Sequence, residues 1–258
     1  MCFDLDSHPP IPPIAGGALD AGHVTLTSAD GTVFNAFRAR AATPTGAGMI
    51  VLPDVRGLFP FYEELALRFA EQGIDALAID YFGRTAGTDP RPAEFEYAPH
   101  VNRTTFAGLS ADIAAAAAYL RSADGGAVTD LFTVGFCFGG RVSFDAATIG
   151  LGLAGVIGFY GPPVGPGRGD VPAPADVADL CGCPVLGLFG GADPGIPPES
   201  IAAYDAALAR AGVEHRIVTY DGAPHSFFDR KAADYAAASD AAWSEVLDFV
   251  RGHTRTAA

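Results

Sequence analysis

The sequence predicts an α/β fold: a mostly parallel central sheet covered by helices on both faces, opened by an antiparallel hairpin. Two observations carry this. From Gly48 onward, short apolar runs alternate with segments of helical periodicity, and the runs are almost continuously apolar, as in strands buried on both faces. Before Gly48, two stretches alternate in polarity around Ser28-Ala29-Asp30-Gly31, whose residues favour a tight hairpin turn. A 258-residue chain of this kind folds as one unit with a large core. We therefore expect a proline-rich N-terminal segment over 1–22 and a single domain over 23–258.

In chain order, 23–27 and 32–39 are the hairpin strands, and 48–52 is the first buried strand. Helical periodicity over 62–72 stops at Gly73, a residue suited to ending a helix, and 74–79 is again apolar. An irregular, proline-containing segment over 83–103 leads to a helix over 106–121, where the run Ala114 to Ala118 favours close packing on a sheet. A strand over 130–136, a helix over 138–148 and a strand over 153–160 continue the alternation. A glycine- and proline-rich loop over 161–175 follows, then a strand over 184–189, a helix over 199–211, a strand over 215–220 and a closing helix over 231–251. The loops over 83–103 and 161–175 are long enough to be lids or surface excursions.

Composition narrows the function. With 16 basic against 30 acidic residues the formal charge is −14, and no cluster of Lys or Arg stands out to grip phosphates. Nucleic acid and anionic membrane are therefore excluded as partners. Four cysteines in a chain able to build its own core fit a reducing compartment better than a disulfide framework. The start of the chain has no basic segment followed by an apolar run, and no uninterrupted apolar stretch reaches the ~18 residues that span a bilayer. We expect a cytoplasmic protein. Cys181-Gly182-Cys183-Pro184 lacks the second Cys or His pair of a structural zinc site, and no glycine-rich phosphate-binding motif is present. No metal and no cofactor are expected.

In a parallel sheet, catalytic groups gather where strands end. The most specific such place is Gly135-Phe136-Cys137-Phe138-Gly139-Gly140, between the strand over 130–136 and the next helix. This G-x-C-x-G pattern is that of a nucleophile elbow, a turn so tight that flanking side chains clash unless they are glycine. It puts the thiol at a helix N-terminus, which favours thiolate, and it aims the Phe138 N–H at a developing oxyanion. As a small buried hydrophobe in a glycine-rich turn, Cys137 alone would need no chemistry. Its company is what points to chemistry.

Asp193 follows the strand over 184–189 in Gly190-Gly191-Ala192-Asp193-Pro194, and His225 follows the next strand in Ala223-Pro224-His225-Ser226-Phe227. Nucleophile, acid and histidine thus come in the chain order of an α/β-hydrolase. The alternative for Asp193 is to cap the helix near Pro197. His8, His23, His100, His215 and His253 do not follow apolar strands. Asp221 is a rival acid, but its place four residues before His225 suits turn formation better.

Together the Gly135 to Gly140 segment, the Asp193 loop and the Ala223 to Phe227 segment resemble the dienelactone hydrolase family, over most of the chain from about Val24. The resemblance implies an α/β-hydrolase fold and a Cys, Asp, His triad formed here by Cys137, Asp193 and His225. It also covers Leu52-Pro53-Asp54-Val55-Arg56-Gly57 and Asp80-Tyr81-Phe82-Gly83-Arg84. The first segment implies that the Val55 N–H is a second oxyanion donor beside Phe138, and that Asp54 stands where the type enzyme has a glutamate interacting with the nucleophile. The second implies that Arg84 binds a substrate carboxylate. The chain departs from the pattern at Asp229, where the type enzyme has a second carboxylate-binding arginine; Arg230 is one residue further.

The expected function is hydrolysis of a small ester or lactone by acyl transfer through Cys137, with a covalent thioester intermediate. The alternatives are an acyl thioesterase or small peptidase on the same triad, and a non-catalytic binding protein of the same fold.

Overall fold

A computed structural model describes residues 6–92, 94–229 and 231–255. Cys2, the first five residues of the proline-rich segment and Arg230 lie outside the described residues. Strands β1 (Ala18–Thr27) and β2 (Val33–Ala41) form the expected hairpin, with the Ser28 N–H donating to the Thr32 carbonyl at 2.8 Å. Then come β3 (Ala47–Leu52), helix α1 (Pro60–Glu71), β4 (Asp75–Ile79), the short helices α2 (Gly83–Ala86) and α3 (Tyr97–Val101), and α4 (Phe106–Arg121). The chain continues through β5 (Asp130–Phe136), α5 (Phe138–Ala146), β6 (Gly155–Phe159), β7 (Val185–Gly190), α6 (Pro198–Ala211), β8 (His215–Tyr220) and α7 (Ala236–His253).

All eight strands join one sheet in the order β1-β2-β4-β3-β5-β6-β7-β8. β2 runs antiparallel to both β1 and β4, and every pair from β4 to β8 is parallel. Strands β3 to β7 are buried along their whole length, which explains their continuous apolar sequences. Among the described residues no helix is long and apolar enough to cross a membrane.

Several boundaries differ from the sequence expectation. Helix α1 starts at Pro60 rather than residue 62, because a first-turn proline loses no hydrogen bond and its φ suits the helix. The segment 83–103 is only partly irregular, since it holds α2 and α3. The closing helix begins at Ala236, not at residue 231: the chain before it winds in turns, with Tyr235 N–H donating to Lys231 O at 3.1 Å, which seat Phe227 and Phe228 in the core. Strand β1 also starts ahead of His23, inside the stretch we had expected to be N-terminal segment.

Helix α5 is buried along its whole length and carries two charged groups one turn apart, Arg141 and Asp145. The Arg141 guanidinium donates to the carbonyls of Pro162, Gly165, Val171 and Pro172 at 2.8–3.3 Å. It thereby pins the loop over 161–175. On its other side this loop meets the segment before α4: Arg168 Nη1 reaches Asn102 Oδ1 at 3.2 Å, and Asp170 accepts the Phe106 N–H. The two long loops brace one another into a wall.

No described residue donates to either carboxyl oxygen of Asp145, which is fully buried. Burial lifts its pKa to about 8, against an opposing pull from Arg141. The folded state therefore binds this proton more tightly than the unfolded chain, where the carboxyl titrates near 4. The stability it contributes is complete below pH ~4, declines as pH rises, and is lost above about 8. We expect the melting temperature to fall between pH 5 and 9, by an amount reflecting on the order of a few kcal/mol, and Asp145→Asn to flatten that slope. Parallel slopes in the two proteins, read by calorimetry across that range, would refute this.

Candidate active site

Because parallel strands present their carboxyl ends at one edge, the segments after β3, β5, β6, β7 and β8 leave the sheet together. Cys137 follows β5 directly. Its backbone has φ 56° and ψ −114°, a left-handed conformation rare for a residue with a side chain and a store of about 1–3 kcal/mol of strain. The neighbouring glycines are steric necessities. A Cβ on Gly135 would lie 1.9 Å from Gly139 O, and one on Gly139 would lie 2.2 Å from both Leu52 O and Pro53 O. No side chain fits at either position, so the turn brings the ends of β3, β5 and α5 into backbone contact.

The thiol of Cys137 is half-buried at the N-terminus of α5. The other two described cysteines are poor nucleophiles: burial pushes the Cys181 thiol up to about 11 and the Cys183 thiol to about 12. The structure joins His225 to Asp193, with Nδ1 2.6 Å from Oδ2. Asp193 Oδ1 accepts the Gly195 N–H at 2.8 Å, and the carboxylate is buried while the imidazole is 30 % exposed. Asp221 is exposed in the turn after β8. Among the two acids weighed for the histidine, the one in contact is Asp193.

Val55 and Phe138 are both buried, 8 % and 4 % exposed, at the ends of β3 and β5. Among the described residues neither N–H is taken up by a turn or loop carbonyl. Asp54 is fully buried; its Oδ1 accepts the Arg56 N–H at 2.9 Å and its Oδ2 lies 3.7 Å from Arg56 Nε.

Arg84, in the short helix α2 after β4, is paired with acidic side chains. Its Nε and Nη2 donate to Asp30 Oδ2 at 3.1 and 2.8 Å, and its Nη1 donates to Asp112, which also accepts from Ser28. The guanidinium ties the hairpin turn to α4. The resemblance implied a substrate carboxylate at this guanidinium; the carboxylates paired with it here are the protein's own Asp30 and Asp112. Asp112 is 1 % exposed, so removing its cation leaves a buried charge without its partner. Arg84→Ala is expected to cost about 2–4 kcal/mol in denaturant unfolding, and to leave substrate preference unchanged within about twofold.

Tyr160, at the end of β6, was not singled out from the sequence. Its φ is 36°, its hydroxyl donates to Asp229 Oδ2 at 2.8 Å, and its ring centroid lies 4.8 Å from that of His225. The buried Asp229 therefore holds a tyrosine packed on the histidine. The strand-end rule that pointed to Asp193 and His225 points equally to Tyr160, which precedes Gly161-Pro162.

The family model for the dienelactone hydrolase family matches residues 35–254. The chain belongs to the dienelactone hydrolase family. Among its relatives is a Salmonella typhimurium protein named "Putative carboxymethylenebutenolidase", 30% identical over 242 residues, spanning 90% of this chain and 87% of the relative. A Bradyrhizobium protein named "Probable 2-oxo-3-(5-oxofuran-2-ylidene)propanoate lactonase" is 27% identical over 209 residues, 80% of this chain and 83% of its own. The crystal structure titled "Putative Dienelactone Hydrolase from Klebsiella pneumoniae" superposes with a TM-score of 0.75 at 26% identity, covering 90% of this chain and 99% of that one. As a member of this family the chain has the α/β-hydrolase fold and is a hydrolase of esters or lactones.

Proposed function

We propose that Cys137, His225 and Asp193 act as a catalytic triad on a small ester or lactone. The observation that carries this reading is the strained Cys137 at a glycine-locked elbow, on the same sheet edge as a histidine bonded to a buried carboxylate. With Nδ1–H directed at Asp193, Nε2 serves as the general base. It takes the thiol proton as sulfur attacks the carbonyl carbon, and the N–H groups of Phe138 and Val55 receive the oxyanion. The C–O bond to the leaving group breaks as the imidazolium protonates that oxygen, leaving a thioester on Cys137. Water, deprotonated by the imidazole, then attacks the thioester, and the acid departs as the thiol is regenerated. Cys137, Cys181 and Cys183 are all free thiols, which suits a reducing compartment such as the cytoplasm.

We also read the site as favouring neutral substrates. Arg84 is bound by Asp30 and Asp112, and Asp229 stands where a family arginine would be. Short neutral esters or lactones are expected to be hydrolysed at least as well as matched carboxylate-bearing analogues. A strong wild-type preference for the anionic substrate, measured at low and moderate salt, would overturn this part. The experiment that tests the proposed function as a whole is a screen against short aryl esters, lactones and acyl thioesters. Stoichiometric thiol alkylation and peptide mapping accompany it. Undiminished ester hydrolysis after complete labelling of Cys137 would refute the triad.

A further inference from the structure

The peptide unit between Pro53 and Asp54 is held at both ends. Its carbonyl, Pro53 O, accepts from the Tyr81 hydroxyl at 2.8 Å, and its N–H, on Asp54, donates to the Tyr62 hydroxyl at 2.9 Å. The two tyrosines come from different elements, Tyr62 from α1 and Tyr81 from the end of β4, and both are buried. A peptide unit is planar, so fixing its C=O and N–H directions fixes its plane. The next peptide unit carries the Val55 N–H.

The same Pro53 carbonyl abuts the elbow, because a Cβ on Gly139 would meet it at 2.2 Å. The Tyr81 ring packs edge-on against Phe138, with centroids 5.5 Å apart and an interplanar angle of 88°. Tyr81 therefore touches both arms of the proposed oxyanion site: the arm after β3 at Pro53 through its hydroxyl, the arm after β5 at Phe138 through its ring. Downstream, Gly57 N–H closes a turn onto Asp54 O at 3.1 Å, so little of the loop beyond the clamped peptide is free to reorient.

We propose that Tyr62 and Tyr81 are positioning residues that clamp the Pro53–Asp54 peptide and so set the direction of the Val55 N–H toward the oxyanion. The proposal rests on the acyl-transfer reading above. Burial, together with the nearby carboxylates of Asp54 and Asp80, holds the Tyr81 hydroxyl well above the usual tyrosine range. It stays a hydrogen-bond donor throughout the working pH range and moves no proton in the reaction.

The test compares two reactions of the same thiol. Hydrolysis of a short p-nitrophenyl ester develops an oxyanion, whereas alkylation by iodoacetamide displaces iodide at a saturated carbon and develops none at the carbonyl. In Tyr81→Phe the ring stays and the clamp loses its donor; Tyr62→Phe removes the acceptor at the other end. Each is expected to lower kcat by about 10- to 100-fold, below the ~10²–10³ of removing an oxyanion donor outright, with KM within about twofold. The rate of Cys137 alkylation and the shape of the kcat–pH profile are expected to stay as in the wild type. Two folded variants that keep kcat within about threefold of wild type would overturn the clamp. So would a parallel loss of esterolysis and alkylation, since that places the effect on the thiol and histidine. If one variant fails to fold, the other decides. Failure of the triad reading itself is seen separately, as wild-type ester hydrolysis that survives complete alkylation of Cys137.

Discussion

Replacing Cys137 with alanine is expected to lower kcat on a short aryl ester by about 10⁴- to 10⁶-fold, the scale on which loss of a covalent nucleophile reads out. No other described cysteine can substitute. Cys181 and Cys183 are held as neutral thiols by burial, and neither sits at an elbow. Fold and stability are expected to survive, because alanine is smaller than cysteine at a half-buried site and keeps the same strained backbone. The measurement is steady-state hydrolysis with a thermal melt as the folding control. A well-folded Cys137→Ala enzyme retaining even a tenth of wild-type turnover would show that the thiol is not the attacking group.

The second large effect is expected at His225, and its diagnostic is non-additivity. His225→Ala alone is expected to cost about as much as Cys137→Ala, and the double variant no more than about tenfold beyond either, because residues acting as one unit cannot lose the same step twice. Asp193→Asn, which keeps the shape but no longer holds the imidazole in the useful tautomer, is expected to cost about 10³- to 10⁴-fold. Asp221→Asn is expected to change kcat less than about twofold, since Asp221 is exposed and His225 Nδ1 is bonded to Asp193. Additive losses in the double variant, or a larger effect at Asp221 than at Asp193, would require another assignment of base and acid.

Much of the fold was legible because its causes are local. Helix α4 and strands β5 and β8 have the limits that periodicity and apolar runs predict, since each is bounded by residues that favour or break its own backbone conformation. The start of α7 was not legible. Phe227 and Phe228, ahead of the helix, are buried against partners such as Phe159, whose ring centroid lies 6.3 and 4.6 Å from theirs. Nothing in the local pattern records that.

The site divides along the same line. Gly135, Cys137 and Gly139 announced themselves because a turn this sharp excludes a Cβ on either side, and that exclusion is written in the residue types. Asp193 and His225 followed from strand-end placement. The partners of Arg84 did not, because only the packing of the hairpin turn against α4 brings Asp30 and Asp112 to its guanidinium. Tyr160 is likewise defined by a partner 69 residues away, Asp229. Fold class, elbow and strand-end residues are readable from the chain alone, since they follow from backbone sterics and short-range periodicity. Which carboxylate each cation or hydroxyl meets emerges only on folding, because such pairings depend on the close approach of segments distant in the chain.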